Sequence, residues 1–253
     1  MACGGNDSKD YWGDTSGGGD KEPTENPNAS KPRYIWIDAA ANFPDFANSK
    51  ENIARDLALA KDAGFTDIVV DVRPTTGDVL FKTNLVDQVK FMYAWIGSNY
   101  TKVERTATWD YLQAFVDEAR KQGLRIHAAI NTFVGGNQID GGTGLLYRDQ
   151  SKAEWATQMN MQGGITSVMN TSESTKFFNP AHPEVQTFLC DLLKDLAGYD
   201  LDGIFLDRGR FLNLQTDFSD ESRKQFEAYM GGIKIQNYPE DILTPGASSL
   251  PTT

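Results

Sequence analysis

The chain has 253 residues, room for one (β/α)8 domain or two smaller ones, and its 40% hydrophobic and 11% aromatic content is ample for a packed core. A formal charge of −11 argues against nucleic acid and anionic membrane surfaces as partners. No apolar run reaches the ~18 residues of a membrane span, and two cysteines, Cys3 and Cys190, are too few for a disulfide framework.

Met1-Ala2-Cys3-Gly4-Gly5 sets a small residue before a Cys and glycines after it. A bacterial lipoprotein begins this way after its signal peptide, although the apolar stretch expected before the Cys is missing here. Either Met1 stands inside a trimmed signal or the pattern is chance. Residues 4–32 are mostly Gly, Ser, Asp, Glu, Asn, Pro and Thr, with almost nothing to bury, and read as a flexible tether. The expectation is lipidation at Cys3 and a lipid-anchored place in the bacterial cell envelope. The folded domain then spans 33–232, and 233–253 forms an irregular tail.

From Arg33 the pattern alternates strand and helix. Tyr34–Asp38 is the first apolar run, and Ser49 caps a helix with Ile53, Leu57 and Ala60 on one face and Gly64 as its stop. Thr66–Val72 is the second strand. The connection 73–109 carries Phe81, Phe91, Met92, Tyr93 and Trp95. Thr108 is placed to cap a helix whose Trp109, Leu112, Val116 and Ala119 share a stripe, closed by Gly123. Arg125–Ile130 is the third strand, followed by a longer connection to His182. Pro183 starts a helix lined by Val185, Phe188, Leu189, Leu192 and Leu196. Cys190 lies near its buried face and is expected as an inert thiol. Gly203–Leu206 is the fourth strand, and Phe218 and Ser219 open a last helix through Met230.

Strand-helix alternation predicts an α/β fold with a parallel sheet and right-handed crossovers. Each strand ends in charged or amide residues: Asp38, Asp71 and Arg73, Asn131, and Asp207 with Arg208 and Arg210. Polar residues gathered at carboxyl ends are the mark of a (β/α)8 active site, of which this chain holds about four β/α units.

The motifs Trp36-Ile37-Asp38, Gly64-Phe65-Thr66-Asp67-Ile68-Val69-Val70-Asp71-Val72-Arg73 and Gly123-Leu124-Arg125-Ile126-His127 resemble the glycosyl-hydrolase-like family 10. So do Asn179-Pro180-Ala181-His182-Pro183 and the run from Tyr199 through Asp207-Arg208. Proteins of this family include lipoproteins of the Bacteroides group. The resemblance covers roughly residues 33–230. It implies a TIM barrel related to α-amylase-type and α-galactosidase-type glycosidases, with Asp207 at the position of the nucleophile. The general acid there comes from the second half of the barrel, which lies beyond these strands.

Glycoside hydrolysis ordinarily uses two carboxyl groups. Asp207 is the candidate nucleophile or stabilising carboxylate, with Arg208 and Arg210 close enough in sequence to favour its ionised form. Asp38, Asp71, Arg73 and Asn131 are candidates to hold the sugar. Asp71 could equally pair with Arg73. Asn179 and His182 are further binding candidates, with a turn and a helix cap as their structural alternatives. His127 reads as a core residue and Asp202 as structural. Tyr93, Trp95, Tyr147 and Trp155, in the long connections, could stack on a sugar or merely cover the rim, and Trp12 and Trp36 are unassigned aromatics.

Asp217, Asp220, Glu221, Glu227, Glu240 and Asp241 have no strand-end context, and none is nominated as the acid. No Walker loop, Gly-x-Ser-x-Gly elbow, zinc pattern or other metal or cofactor motif occurs. The glycines between Gly135 and Gly144 lack the context of a phosphate cradle.

The expected function is hydrolysis of a poly- or oligosaccharide, with a carbohydrate partner and self-association through open barrel edges. The alternative is a non-catalytic surface glycan-binding protein or a truncated structural lipoprotein.

Overall fold

The computed structural model describes residues 31–250. β1 (Tyr34–Ile37) leads through the short α1 (Phe43–Phe46) into α2 (Lys50–Asp62). Ser49 accepts the Asn52 N–H as N-cap of α2, and Gly64 takes a φ of 86° just past the helix end. β2 (Asp67–Arg73) follows. The connection after it folds into an antiparallel hairpin of β3 (Phe91–Ile96) and β4 (Asn99–Glu104).

α3 (Tyr111–Gln122) is capped by Asp110 rather than Thr108, because Asp110 Oδ1 accepts the Gln113 N–H at 3.1 Å. Trp109 therefore precedes the helix instead of lying on its stripe, with its ring stacked 6.3 Å from Tyr111. β5 (Arg125–Asn131) leads to β6 (Val134–Asn137) and α4 (Leu145–Arg148). β7 (Gln158–Met161) and β8 (Gly164–Ser167) form a hairpin, and β9 (Thr175–Phe177) pairs back on β6. α5 (Pro183–Leu196), β10 (Gly203–Asp207) and α6 (Asp220–Tyr229) complete the order. Cys190, expected as an inert buried thiol, is half-buried on α5 and is not a free cysteine.

β1, β2, β5 and β10 form one parallel sheet in chain order, the α/β arrangement that the alternation predicts. Side chains on a strand alternate between faces. Ile68, Val70, Val72, Ile126, Ala128 and Ile130 point to the helix side and join α2, α3 and α5 in the core. Burying each of the Ile and Val side chains contributes about 1.5–3 kcal/mol.

The opposite face carries Tyr34, Trp36, Val69, His127, Ala129 and Phe205. Phe205 lies 6.0 Å from Tyr34 and 5.5 Å from Trp36, ring to ring. A flat four-stranded sheet would hold β1 and β10 about 14 Å apart, so this face is concave. At its floor Asp67 takes two bonds from Arg125, at 2.7 Å each, and lies 2.9 Å from His127 Nε2. Gly203 sits opposite His127 in the parallel register, and a Cβ there would come within 2.8 Å of His127 Nδ1. Only glycine lets β10 approach at this level.

Near the carboxyl ends a bulge between Asp71 and Arg73 turns the Arg73 side chain inward. Its guanidinium, fully buried, donates to the carbonyls of Asn131 and Val134 at 2.5 Å and of Thr132 at 3.2 Å. Asn131 Nδ2 returns a bond to the Arg73 carbonyl at 2.9 Å. The glycine-rich loop packs its backbone beside this clamp: a Cβ on Gly144 would sit 2.5 Å from the Gly135 carbonyl oxygen.

Residues 233–250 carry no helix or strand, yet they pack. Asn160 Nδ2 donates to the Leu243 carbonyl at 2.8 Å, and buried Glu227 accepts from Lys234 Nζ at 2.6 Å and the Ile235 N–H at 3.1 Å.

Replacing Arg73 by Met leaves three buried carbonyls without their donor. Urea unfolding of the Arg73→Met variant is expected to show a loss of about 3–5 kcal/mol. A loss below about 1 kcal/mol, the size of an ordinary surface change, would contradict the clamp.

Candidate active site

Asp38 lies one residue past β1, Asp71 is on β2, Asn131 ends β5 and Asp207 ends β10. The alternation of the strands sends all four to the concave face, at the carboxyl end where parallel sheets present ligand-binding groups. With Trp36 and Ala129 they line a pocket of about 150 Å³. Pro74, Thr75, Met92 and Arg208 form its rim.

Asp38 organises its own turn. Its Oδ1 accepts the N–H groups of Ala40 at 2.8 Å and Ala41 at 2.7 Å, and its own N–H donates to Asn42 Oδ1 at 3.0 Å. Asp207 Oδ1 accepts the Arg208 N–H at 2.7 Å. Arg208 takes a φ of 46°, a left-handed conformation that costs a non-glycine residue about 1–2 kcal/mol. The chain thus bends away directly after the strand and leaves the Asp207 carboxylate at its end. Thr132 donates its N–H to the Asp207 carbonyl at 2.7 Å, which ties β10 to the turn beyond β5.

Asp71 is buried with 8% exposure. Burial raises its pKa to about 7, with the nearby Asp38 and Asp207 charges adding to the rise and the N–H groups of Arg73 and Ala39 opposing it. The Arg73 contact is backbone only, N–H to Oδ1 at 3.2 Å. No guanidinium partners Asp71 among the described residues. The pocket therefore combines a carboxyl able to keep a proton at neutral pH with two further carboxyl groups, and such a carboxyl can donate a hydrogen bond as well as accept one.

A larger cleft of about 380 Å³ lies between α6 and the 235–250 segment. Its walls, among them Phe211, Leu214, Phe226 and Ile242, are apolar. Its one carboxylate, Asp217, is occupied by Thr157, the Gln158 N–H, Ser219 and Ser222.

The model of the family described as Glycosyl hydrolase-like 10 matches residues 31–237. The chain belongs to this family. It is similar to an S-layer-related protein of Niallia circulans, 32% identical over 218 residues that cover 83% of this chain and 13% of that protein. The chain thus spans only a small part of that relative's length. Among solved structures it is similar to alpha-L-fucosidase isoenzyme 2 from Paenibacillus thiaminolyticus, with a TM-score of 0.51 at 18% identity, over 79% of this chain and 26% of that one. It also matches the galactosidase domain of the alpha-galactosidase-sucrose kinase AgaSK, with a TM-score of 0.46 at 19% identity, over 77% and 22% of the two chains. At such identities the fucosidase likeness is one of α/β fold.

In this glycosyl hydrolase-like 10 chain the sequence candidates divide. Asp38, Asp71, Asn131, Asp207 and Arg208 meet in one pocket. Arg73, expected to hold the sugar, is instead committed to three backbone carbonyls. Arg210 turns to the carbonyls of Phe211 and Leu212, at 3.1 and 3.0 Å, and forms no ion pair with Asp207. Asn179 is a turn-maker: Oδ1 accepts the Ala181 N–H at 2.9 Å and Nδ2 donates to Ser219 at 2.8 Å. His182 caps α5 through Nδ1, which accepts the Glu184 N–H at 3.2 Å. His127 and Asp202 are held in the structural contacts expected of them, Asp202 by Arg120 Nη1 and the Ile126 N–H, both at 2.8 Å. Cys3 and Trp12 lie outside the described residues.

Sequence reasoning missed Thr75 and Met92, which reach the rim from the connection after β2. The length of that connection was their one signal. It also left unassigned Trp36 on β1, whose period-two spacing from Asp38 just beyond the strand could have placed it in the pocket.

Asp71 binds its proton more tightly in the folded chain than in the unfolded one. Its stability contribution is therefore complete below the ordinary carboxylate range near pH 4 and is lost as pH rises towards 7. An Asp71→Asn variant is expected to gain on the order of 2–4 kcal/mol over the wild type at pH 8, and almost nothing at pH 4. Urea melts at the two pH values measure this, and an equal difference at both would contradict the buried proton.

Proposed function

We propose that the protein is a glycoside hydrolase acting on a poly- or oligosaccharide, with the carboxyl-end pocket as its sugar site. The observation that carries this reading is the convergence of Asp38, Asp71, Asn131 and Asp207 in one concave pocket, within a glycosyl hydrolase-like 10 chain. Under it, the four parallel strands are the first units of a (β/α)8 barrel, with open edges at β1 and β10.

Asp207 serves as nucleophile or as the carboxylate that stabilises the oxocarbenium-like transition state. Asp38, Asp71 and Asn131 hold sugar hydroxyls, and Arg208 closes the rim. The proton donor is assigned to a carboxyl on strands that complete the barrel. Glu227, after β10, is a poor candidate because Arg223 and Lys234 bind it, at 3.1 and 2.6 Å. No cofactor is needed for this chemistry. Open sheet edges invite pairing, so self-association is the expected behaviour wherever the completing strands are absent. A cell-envelope location, facing glycan, fits the same reading.

In the intact protein, Asp207→Asn is expected to lower release of reducing ends from glycans by at least about 10³-fold while glycan binding persists. Unchanged turnover would remove Asp207 from the mechanism. Glycan binding by the wild type without any turnover would favour the non-catalytic alternative.

A further inference from the structure

The hairpin of β3 and β4 has a use that the carboxylate pocket does not account for. Its two faces differ. Met92 and Ala94 are buried toward the body, whereas Phe91, Tyr93 and Trp95 alternate onto the other face with Tyr100 and Lys102 of β4. Their rings form a ladder: Phe91 to Tyr93 at 6.1 Å, Tyr93 stacked on Tyr100 at 5.3 Å, and Trp95 to Tyr100 at 5.3 Å. The ladder is open to solvent at its outer end, with Trp95 68% and Tyr100 57% exposed. Rings so exposed forfeit most of the stabilisation that burial would provide.

The hairpin is also fixed in place. The Tyr93 hydroxyl donates to Asp140 Oδ1 at 2.9 Å, and Lys102 Nζ donates to Asp140 Oδ2 at 2.6 Å. These bonds strap the ladder to the loop after β6. Between the two lies a cleft of about 360 Å³, walled on one side by Phe91, Tyr93 and Tyr100 and on the other by Asn137, Gln138 and Ser174. Ala40, Thr75 and Met92 line both this cleft and the carboxylate pocket, so the two are adjacent.

We propose that this cleft is a second sugar subsite, and that the ligand is a glycan chain of several residues running from the carboxylate pocket along the aromatic ladder. The inference rests on the glycosidase reading and specifies its substrate class. A pyranose presents a flat C–H face suited to an aromatic ring and equatorial hydroxyls suited to amide and hydroxyl groups, and the cleft offers these on opposite walls. The carboxylate pocket, at about 150 Å³, is below the ~300–1,000 Å³ of most small-molecule sites. Joined to the cleft it comes within that range.

The test is titration of the full chain with cello-, chito- and malto-oligosaccharides of one to six sugars, followed by calorimetry and by tryptophan fluorescence. For the oligosaccharide type that binds, affinity is expected to rise at least about tenfold from two to five sugars, with a shift in tryptophan emission. A Trp95→Ala/Tyr100→Ala variant, altered only at exposed rings, is expected to lose that gain and keep disaccharide affinity, while Trp95→Phe retains part of it. Disaccharide binding without a length gain, or a gain untouched in the double variant, overturns the subsite alone. No binding of any oligosaccharide overturns both the subsite and the glycosidase reading.

Discussion

Arg73 holds the carboxyl end of the sheet together, and the pocket depends on it. A buried guanidinium must have its donors satisfied or it destabilises the fold by several kcal/mol. Here its two Nη groups donate to the carbonyls of Asn131, Thr132 and Val134, between the last residue of β5 and the first of β6, while Nε has no partner among the described residues. That requirement fixes the turn against β2, and the turn in turn fixes Asn131 and, through the Thr132 N–H, the end of β10. Burial lowers the Arg73 pKa only to about 10, so the clamp stays charged at neutral pH. Among the described residues Asp71, two residues before it, forms no ion pair and is met by backbone N–H groups.

The concave face shows how partners decide the state of a carboxyl. Asp67 and Asp71 lie on the same strand and the same face, and both are buried. The Arg125 guanidinium holds Asp67 well below the usual carboxylate range, helped by Thr66 and His127. Burial raises the Asp71 pKa, the Asp38 and Asp207 charges add to the rise, and backbone N–H groups oppose it. Between them sits an apolar layer of Val69, Ala129 and the rings of Trp36 and Phe205. The floor is thus a structural ion pair, and the carboxyl end is the place where charge and proton remain available for chemistry.

Much of this was legible in the sequence, for local reasons. Runs such as Ile68-Val69-Val70 and Ile126-His127-Ala128-Ala129-Ile130 set the strands, and Ser49, Gly64, Gly123 and Pro183 mark helix ends through conformational preferences that act within a few residues. Period-two alternation then brings Asp38, Asp71, Asn131 and Asp207 to one face. What was not legible depends on distant partners. Arg73 reads as a strand-end ligand until the bulge and the carbonyls of a turn 58 residues away are known. Asn179 and His182 needed the structure to settle between ligand and turn or cap. The β3–β4 hairpin was also legible, in two aromatic and β-branched runs joined by the two-residue turn Gly97-Ser98, although that connection was read only for its length.

The central claim is that the carboxyl-end pocket holds a proton on Asp71 beside Asp38 and Asp207. Carbon-13 NMR titration of the aspartate side-chain carboxyls, with Asp71 assigned by substitution, measures it directly. The account expects Asp71 to titrate at about pH 7. An Asp71 carboxyl fully ionised by the ordinary range near pH 4 would contradict it, since the pocket would then be open to water and Asp71 would sit among the exposed carboxylates of the surface.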